Sequence, residues 1–153
     1  MTDDPAPDAL PDVLFVCVHN AGRSRMAEAL FDRAAQGRYT AASAGTEPAS
    51  RPHPEVVAAM AELGVTVPER PGRLLTPELA DAATRLVSMG CSVEDACPAT
   101  TTPMEDWALS DPKGQDMDTV RAIRDDIARR VDALLDELDA QHADDAQTRV
   151  AEP

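Results

Sequence analysis

Short strand-like runs alternate with amphipathic segments along this 153-residue chain, and the alternation predicts an α/β fold. The four strand-like runs are Val13 to Cys17, Tyr39 to Ala44, Arg85 to Met89 and Trp107 to Leu109. Strands that are separated by helices pair in parallel and are covered on both faces. We therefore predict a single domain built on a four-stranded parallel sheet with helices on both faces.

Helical spacing of apolar residues defines the predicted helices between these runs. They extend from about Ser24 to Ala35, from Pro54 to Leu63, from Pro77 after a Thr76 N-cap, and from Met117 to Asp139. The apolar face of the last helix consists of Val120, Ile123, Ile127, Val131, Leu134 and Leu138. Helices with one apolar face are the expected cover of the sheet.

The two ends of the chain differ in composition from its middle. Residues 1–11 are rich in proline and acidic residues and are predicted to be a disordered extension, and residues 140–153 form a polar tail. The predicted domain is therefore 12–139. Because the chain has neither an apolar stretch of membrane-spanning length nor a basic leader before an apolar segment, we expect a cytoplasmic protein without a membrane partner.

Charge and cysteine content narrow the possible functions. The 28 acidic residues exceed the 14 basic ones and give a net charge of −14, which disfavours nucleic acid as a partner. The three cysteines, an odd number, argue against a structural disulfide framework and for redox or nucleophilic chemistry. We expect a monomer.

The segment from Cys17 to Ser24 is typical of a binding site for a tetrahedral oxyanion. Cys17 ends the first strand, and Arg23 and Ser24 open the first helix five residues later. The loop residues whose backbone N–H groups would converge on the anion are Val18, His19, Asn20, Ala21 and Gly22. Arg23 would add a bidentate fork, and the same field favours a nucleophilic Cys17 thiolate that Ser24 can hydrogen-bond. The alternative is a cysteine that is buried for packing in a strand before an unrelated helix.

Asp111 is the second candidate, because it follows the last predicted strand and precedes the last helix. A carboxylic acid on this loop could protonate an oxygen as it leaves the oxyanion. The proline that follows stiffens the loop. Ligands of parallel sheets bind at the carboxyl ends of strands, where Cys17, Cys91 and Asp111 all fall. The alternative is that Asp111-Pro112 is an ordinary turn.

Cys91 and Cys97 are the third candidate, with five residues between them. In a helix their Cα atoms would lie roughly 9 Å apart, too far for a disulfide, so joining them would require the segment to loop out. Such a pair suits a transient disulfide better than a structural one. The alternative is two unrelated thiols on one loop.

No metal site is predicted. The chain has no Cys-x2-Cys pair, and His19, His53 and His142 have no spacing that indicates ligation. His19 lies in the loop after Cys17, and His53 and His142 are predicted to be ordinary surface residues.

At these residues the chain resembles the arsenate reductases built on the low-molecular-weight protein tyrosine phosphatase fold, the class that thioredoxin reduces. The resemblance covers about Asp12 to Asp139. It rests on the run from Val13 through Cys17, Arg23 and Ser24 to Glu28, on Ser43-Ala44-Gly45, on Met89-Gly90-Cys91 and Cys97-Pro98, and on Trp107 with Asp111-Pro112.

The resemblance implies a sequence of displacements. Cys17 would attack arsenate held by the loop amides and Arg23, and Asp111 would protonate the departing oxygen. Cys91 would then attack Cys17 and release arsenite, and Cys97 would attack Cys91. The final Cys91–Cys97 disulfide would be reduced by thioredoxin, with a weak phosphatase side activity as a further implication.

Two other functions remain open at this stage. A protein tyrosine phosphatase would share Cys17, Arg23, Ser24 and Asp111, but such phosphatases usually carry aromatic residues beside the Asp-Pro loop, where this chain has Lys113-Gly114-Gln115. A non-enzymatic arsenite sensor or carrier would use the three thiolates and would not need an arginine or an acid.

Some relatives in this family bind potassium beside the anion loop. Asn20, Glu28 and Ser43 match residues of that site, but Pro71 and Arg73 stand where a Thr and an Asp would be. We expect Arg73 to supply the positive charge internally, so that no bound cofactor or potassium ion is required and thioredoxin is the external reductant.

Overall fold

Strands and helices alternate along the chain in the computed structural model, which describes residues 11–89, 104–110 and 112–151, with side chains as far as residue 143. In chain order the elements are β1 (Val13–Cys17), α1 (Arg23–Ala35), β2 (Ala41–Gly45), α2 (Pro54–Ala61), α3 (Pro77–Ala82), β3 (Arg85–Ser88), β4 (Met104–Asp106) and α4 (Met117–Ala151). Among these described residues, none of the helices has both the length and the apolar character that a membrane crossing needs.

The sheet is parallel, with the strand order β2-β1-β3-β4, and it confirms the predicted four-stranded sheet. The five residues of the inner strand β1 are all buried, which explains its continuous apolar run. From β1 the chain passes to β2 on one side and later to β3 on the other. The carboxyl end of β1, where Cys17 lies, is therefore the point at which ligands bind in sheets of this type.

Helices cover both faces of the sheet. On one face, α1 and α4 pack with Phe15 and Val87 in the larger core cluster, and on the other, α3 packs over Leu14 and Leu86. The predicted apolar face of α4 is confirmed, because its six residues are at most 8% exposed. This cover holds the carboxyl end of β1 in a fixed place.

The last strand differs from the prediction. The strand is Met104–Asp106, and the predicted strand residues Trp107 to Leu109 follow it. Trp107 N–H still donates to Ser88 O at 2.8 Å, but Ala108 has a φ of 45°, which ends the extended conformation. The apolar pattern at Trp107 and Leu109 therefore reflects burial in the core and not extension.

The final helix is longer than predicted. It continues to Ala151, through most of the segment predicted as a polar tail, 140–153. Between Met117 and Ala151 the sequence contains no glycine or proline, so no residue stops the helix after Asp139. The predicted disorder of residues 1–10 lies outside the described residues.

Candidate active site

The loop between β1 and α1 lies at the positive end of a helix. Gly22 precedes α1, and its carbonyl accepts the first helical bond from Met26 N–H at 3.0 Å. Within the described part of the chain no side chain caps this end, and the first turn contains no acidic residue. The positive end of the 13-residue helix is therefore not neutralised by its own sequence.

The carbonyl groups of the loop are turned away from its centre. Their donors are Glu47 N–H for Val18 O (2.8 Å), Ala49 N–H for His19 O (2.8 Å), Arg25 Nη1 for Asn20 O (3.3 Å) and His53 N–H for Ala21 O (2.9 Å). In a planar trans peptide the N–H points opposite to the C=O. The N–H groups of residues 19–22 therefore face inward and form a cradle for an anion. We call residues 17–24 the cradle.

The Cys17 sulfur is held by two polar contacts although it is only 3% exposed. Asn20 N–H donates to Cys17 Sγ at 3.2 Å, and Ser24 Oγ lies 2.8 Å from the same sulfur. Asn20 Nδ2 donates to Ser24 Oγ at 2.9 Å, which leaves the Ser24 hydrogen free to point at the sulfur. This arrangement stabilises a thiolate, the form of cysteine that acts as a nucleophile.

Asn20 is the residue that orients this group. It is 1% exposed and has a φ of 49°, in the left-handed region that asparagine tolerates better than most residues. Its Oδ1 accepts from Arg73 N–H at 2.9 Å, so the side-chain amide is held from both ends. Asn20 was predicted to bind the anion through its backbone and to match a potassium site of relatives, whereas its side chain orients Ser24 through contacts that spacing does not show.

Arg23 contacts the residues that follow β3 and β4. Its Nη1 donates to Met89 O at 2.6 Å and to Leu109 O at 2.8 Å, and its side chain is buried. These bonds use the two hydrogens of Nη1, so among the described residues the other three N–H donors of the guanidinium remain available to an oxyanion. The ends of β3 and of the segment after β4 are thereby tied to the cradle.

A guanidinium contacts Glu28, but it belongs to Arg70 and not to the predicted Arg73. Arg70 Nη2 donates to the two carboxylate oxygens of Glu28 at 3.1 and 3.0 Å, and Ser43 Oγ donates to Glu28 at 2.5 Å. Arg73, which was predicted to supply this charge, contributes its backbone N–H to Asn20 instead. The guanidinium next to Glu28 therefore comes from segment 66–76, which lies between α2 and α3.

Arg25 fixes that segment to the cradle. The side chain is buried, and its Nη2 donates to Pro68 O at 2.5 Å and to Arg70 O at 3.1 Å, while Nη1 reaches the cradle at Asn20 O. Burial, followed by the nearby Arg70 charge, lowers the pKa of Arg25. Arg23 and Arg25, which are two residues apart, therefore tie the cradle to different segments of the chain.

Gly45, at the end of β2, lies directly against the backbone of the cradle. A Cβ at this position would be 2.5 Å from Val18 O and 2.8 Å from Asn20 N. Both are backbone atoms with fixed positions, so neither can move aside as a flexible side chain would. Only glycine fits where the cradle loop crosses β2.

Gly45→Ala is expected to lower the free energy of unfolding by about 1–3 kcal/mol and to weaken binding of inorganic phosphate, because the added methyl group pushes the cradle backbone outward. Urea unfolding and phosphate titration measure the two effects. Gly37→Ala is the control for destabilisation away from the cradle: its φ of 84° strains an alanine, but nothing lies within 4 Å of its Cβ position, so stability should fall while phosphate binding stays normal. Phosphate binding that stays normal in Gly45→Ala would contradict this interpretation.

Three predicted site residues, Asp111, Cys91 and Cys97, lie outside the described residues. Met89, two residues before Cys91, and Leu109, two residues before Asp111, are described, and Arg23 binds the carbonyl of each. Within 11–89, 104–110 and 112–151, no three His, Cys, Asp or Glu side chains converge as a metal site would require.

Comparison with known proteins identifies similar folds and sequences. The model of the low molecular weight phosphotyrosine protein phosphatase family matches residues 12–144. A putative arsenate reductase of Halobacterium salinarum is 43% identical over 81% of this chain and 90% of its own length. A glutaredoxin arsenate reductase of Synechocystis sp. is 34% identical, over 80% of this chain and 95% of its own.

Among solved structures, the thioredoxin-dependent arsenate reductase of Corynebacterium glutamicum superposes with a TM-score of 0.73 and 34% identity. The match covers 89% of this chain and 65% of that one, so the present chain spans slightly less than two thirds of that relative.

Proposed function

Because the chain belongs to the low molecular weight phosphotyrosine protein phosphatase family and is an arsenate reductase of that fold, we propose that it works by a three-cysteine relay that thioredoxin regenerates. The nucleophile is Cys17, and Cys91 and Cys97 follow it in the relay. The observation that supports this proposal is the cradle itself. Its inward N–H groups and the spare donors of Arg23 surround the polarised Cys17 sulfur.

In the first step the cradle holds arsenate, and the Cys17 thiolate attacks the arsenic atom. A sulfur–arsenic bond forms, an arsenic–oxygen bond breaks, and Asp111 protonates the oxygen, which leaves as water. Since the chain carries a net charge of −14, the anion is attracted by local donors and not by the overall field.

In the second step the Cys91 thiolate attacks the Cys17 sulfur. A Cys17–Cys91 disulfide forms, and the electron pair of the broken sulfur–arsenic bond stays on arsenic, which leaves as arsenite. The Cys97 thiolate then attacks Cys91 and frees the Cys17 thiolate. The remaining Cys91–Cys97 disulfide accepts two electrons and two protons from the thioredoxin dithiol.

The same cradle also suits a weak hydrolytic side activity. A phosphate monoester has the tetrahedral shape and charge that the N–H groups and Arg23 recognise. Attack by Cys17 on phosphorus would form a sulfur–phosphorus bond and break the ester phosphorus–oxygen bond, and the alcohol would leave with a proton from Asp111. Water would then hydrolyse the phosphocysteine to inorganic phosphate and free Cys17, with no use of Cys91 or Cys97.

NADPH oxidation that depends on arsenate tests the proposed function. The purified full chain is mixed with NADPH, thioredoxin and thioredoxin reductase, and a parallel reaction contains glutathione, glutaredoxin and glutathione reductase. We expect turnover in the thioredoxin reaction. Turnover with glutaredoxin alone would overturn the choice of reductant, and no turnover in either reaction would overturn the proposed reductase function.

The Arg70–Glu28 pair predicts that arsenate turnover does not require potassium. The guanidinium already supplies a positive charge at Glu28, so rates in potassium, sodium and choline chloride are expected to agree. Arg70→Ala is expected to lower kcat/KM about fivefold, equal to ~1 kcal/mol for a partly exposed pair, with partial recovery in potassium.

Arg129→Ala is the control for this prediction, because Arg129 is an exposed arginine on α4 with a long, 3.6 Å ion pair to Asp126. It is expected to behave as the wild type in all three salts. A wild-type rate that rises with potassium but not with sodium would contradict the internal role of Arg70.

A further inference from the structure

His53 lies beside the cradle and not on the open surface, contrary to the prediction. Its Cδ2 is 3.2 Å from the position that a Cβ on Gly22 would occupy, and Pro112 Cγ is 3.1 Å from the same point. The imidazole ring is half-buried. The absence of a side chain at Gly22 therefore lets the imidazole and the proline ring approach the cradle together.

The backbone of His53 is fixed on both sides. Its N–H donates to Ala21 O in the cradle at 2.9 Å, and its carbonyl accepts from Val56 N–H and Val57 N–H at 3.0 and 3.1 Å. Pro54, the next residue, restricts His53 to the extended conformation that is observed, with φ −65° and ψ 135°. The imidazole therefore extends from a rigid junction between the cradle and α2.

The start of α2 also contacts the turn that follows Pro112. Glu55 Oε1 accepts from Gly114 N–H at 3.4 Å, and Gln115 N–H closes the turn on Pro112 O at 3.1 Å. Glu55, in the first turn of α2, thus binds this turn directly, and His53, the residue before α2, lies on the same side of Gly22 as Pro112. This places the cradle, α2 and the turn at Pro112 in a single packed unit.

We propose that His53 is a positioning residue for arsenate reduction, which sets the spacing between the cradle and Pro112. The residue directly before Pro112 is Asp111, so the proposal rests on the proposed function of Asp111 as the general acid. The imidazole acts through packing against Gly22 and Pro112. A shift of this turn would misplace the acid without removing any donor that binds the oxyanion.

The expected effect is a loss of rate without a loss of binding. His53→Ala is expected to lower kcat for hydrolysis of a small aryl phosphate, and the single-turnover rate with arsenate, about 10- to 100-fold, the cost of a misplacement near 1 Å. The inhibition constant for inorganic phosphate is expected to stay within about twofold. Asp111→Asn sets the upper limit, with a loss of about 10²–10⁴-fold.

Two further variants separate positioning from general damage to the fold. His53→Phe keeps a planar ring against Gly22 and Pro112 and is expected to restore most of the rate. His142→Ala removes an exposed histidine of α4 and is expected to change nothing. Urea unfolding of each variant shows whether it is folded.

A double-mutant cycle completes the test and does not depend on His53→Ala alone. If His53 acts through Pro112, then Pro112→Ala has the same kinetic signature, and the double variant is no slower than the slower single variant. Additive losses, an unchanged rate in folded His53→Ala, or no recovery in His53→Phe would overturn the positioning role. A wild type that fails to reduce arsenate would instead overturn the proposed function itself.

Discussion

Replacement of Cys17 with serine is expected to abolish arsenate reduction and the phosphatase side activity together. A serine hydroxyl at this position cannot form a disulfide, and it is a weaker nucleophile than the cysteine sulfur that Asn20 N–H and Ser24 contact. We expect both rates to fall by about 10⁴- to 10⁶-fold, the scale seen when a catalytic nucleophile is removed. Arsenite formation and aryl phosphate hydrolysis are measured on the same preparation.

Arg23→Ala is expected to give a comparable loss, because it removes the bidentate donor and also frees Met89 O and Leu109 O. Arg129→Ala, an exposed arginine substitution, is the control and should keep full activity. Phosphate binding should survive in Cys17→Ser and be lost in Arg23→Ala. Robust turnover by Cys17→Ser would refute the assignment of the cradle.

The three cysteines are expected to separate by role. Hydrolysis of a small aryl phosphate needs only Cys17, so it should continue at the wild-type rate in Cys91→Ser and Cys97→Ser. Continuous arsenate turnover should be lost in both variants. Cys91→Ser should stop before any disulfide forms, whereas Cys97→Ser should release one equivalent of arsenite and accumulate the Cys17–Cys91 disulfide.

Mass spectrometry after treatment with arsenate and alkylation of free thiols identifies which pair is joined. The two serine variants are controls for each other, because each removes one thiol from the same short segment. A wild type that retains three free thiols after arsenate, or a Cys91→Ser variant that still cycles with thioredoxin, would contradict the relay. The phosphatase function would then be the better description of the chain.

The sheet and the cradle could be predicted because their signals are local. β1 is apolar throughout since both of its faces are covered, and the loop after it brings Cys17 and Arg23 together within seven residues. The strand–loop–helix order brings Cys17 and Arg23 close together, and distant contacts then fix the loop and the guanidinium.

The surroundings of the cradle could not be predicted, because they depend on residues far apart in the chain. Arg70 lies 42 residues after its partner Glu28, and Arg23 binds a carbonyl 86 residues away. Periodicity carries no information about such pairs. The same limit explains the error at His53, whose environment is set by Gly22 and by Pro112 near the other end of the chain.

The burial of Cys17 also affects how readily this cysteine is oxidised. Oxidation and mixed-disulfide formation are fastest at thiolates that are both ionised and accessible. At 3% exposure, Cys17 offers little surface to a bulky disulfide such as oxidised glutathione, which is much larger than a tetrahedral anion. The nucleophile is thereby expected to keep its reactivity toward arsenate and to escape glutathionylation in the absence of substrate.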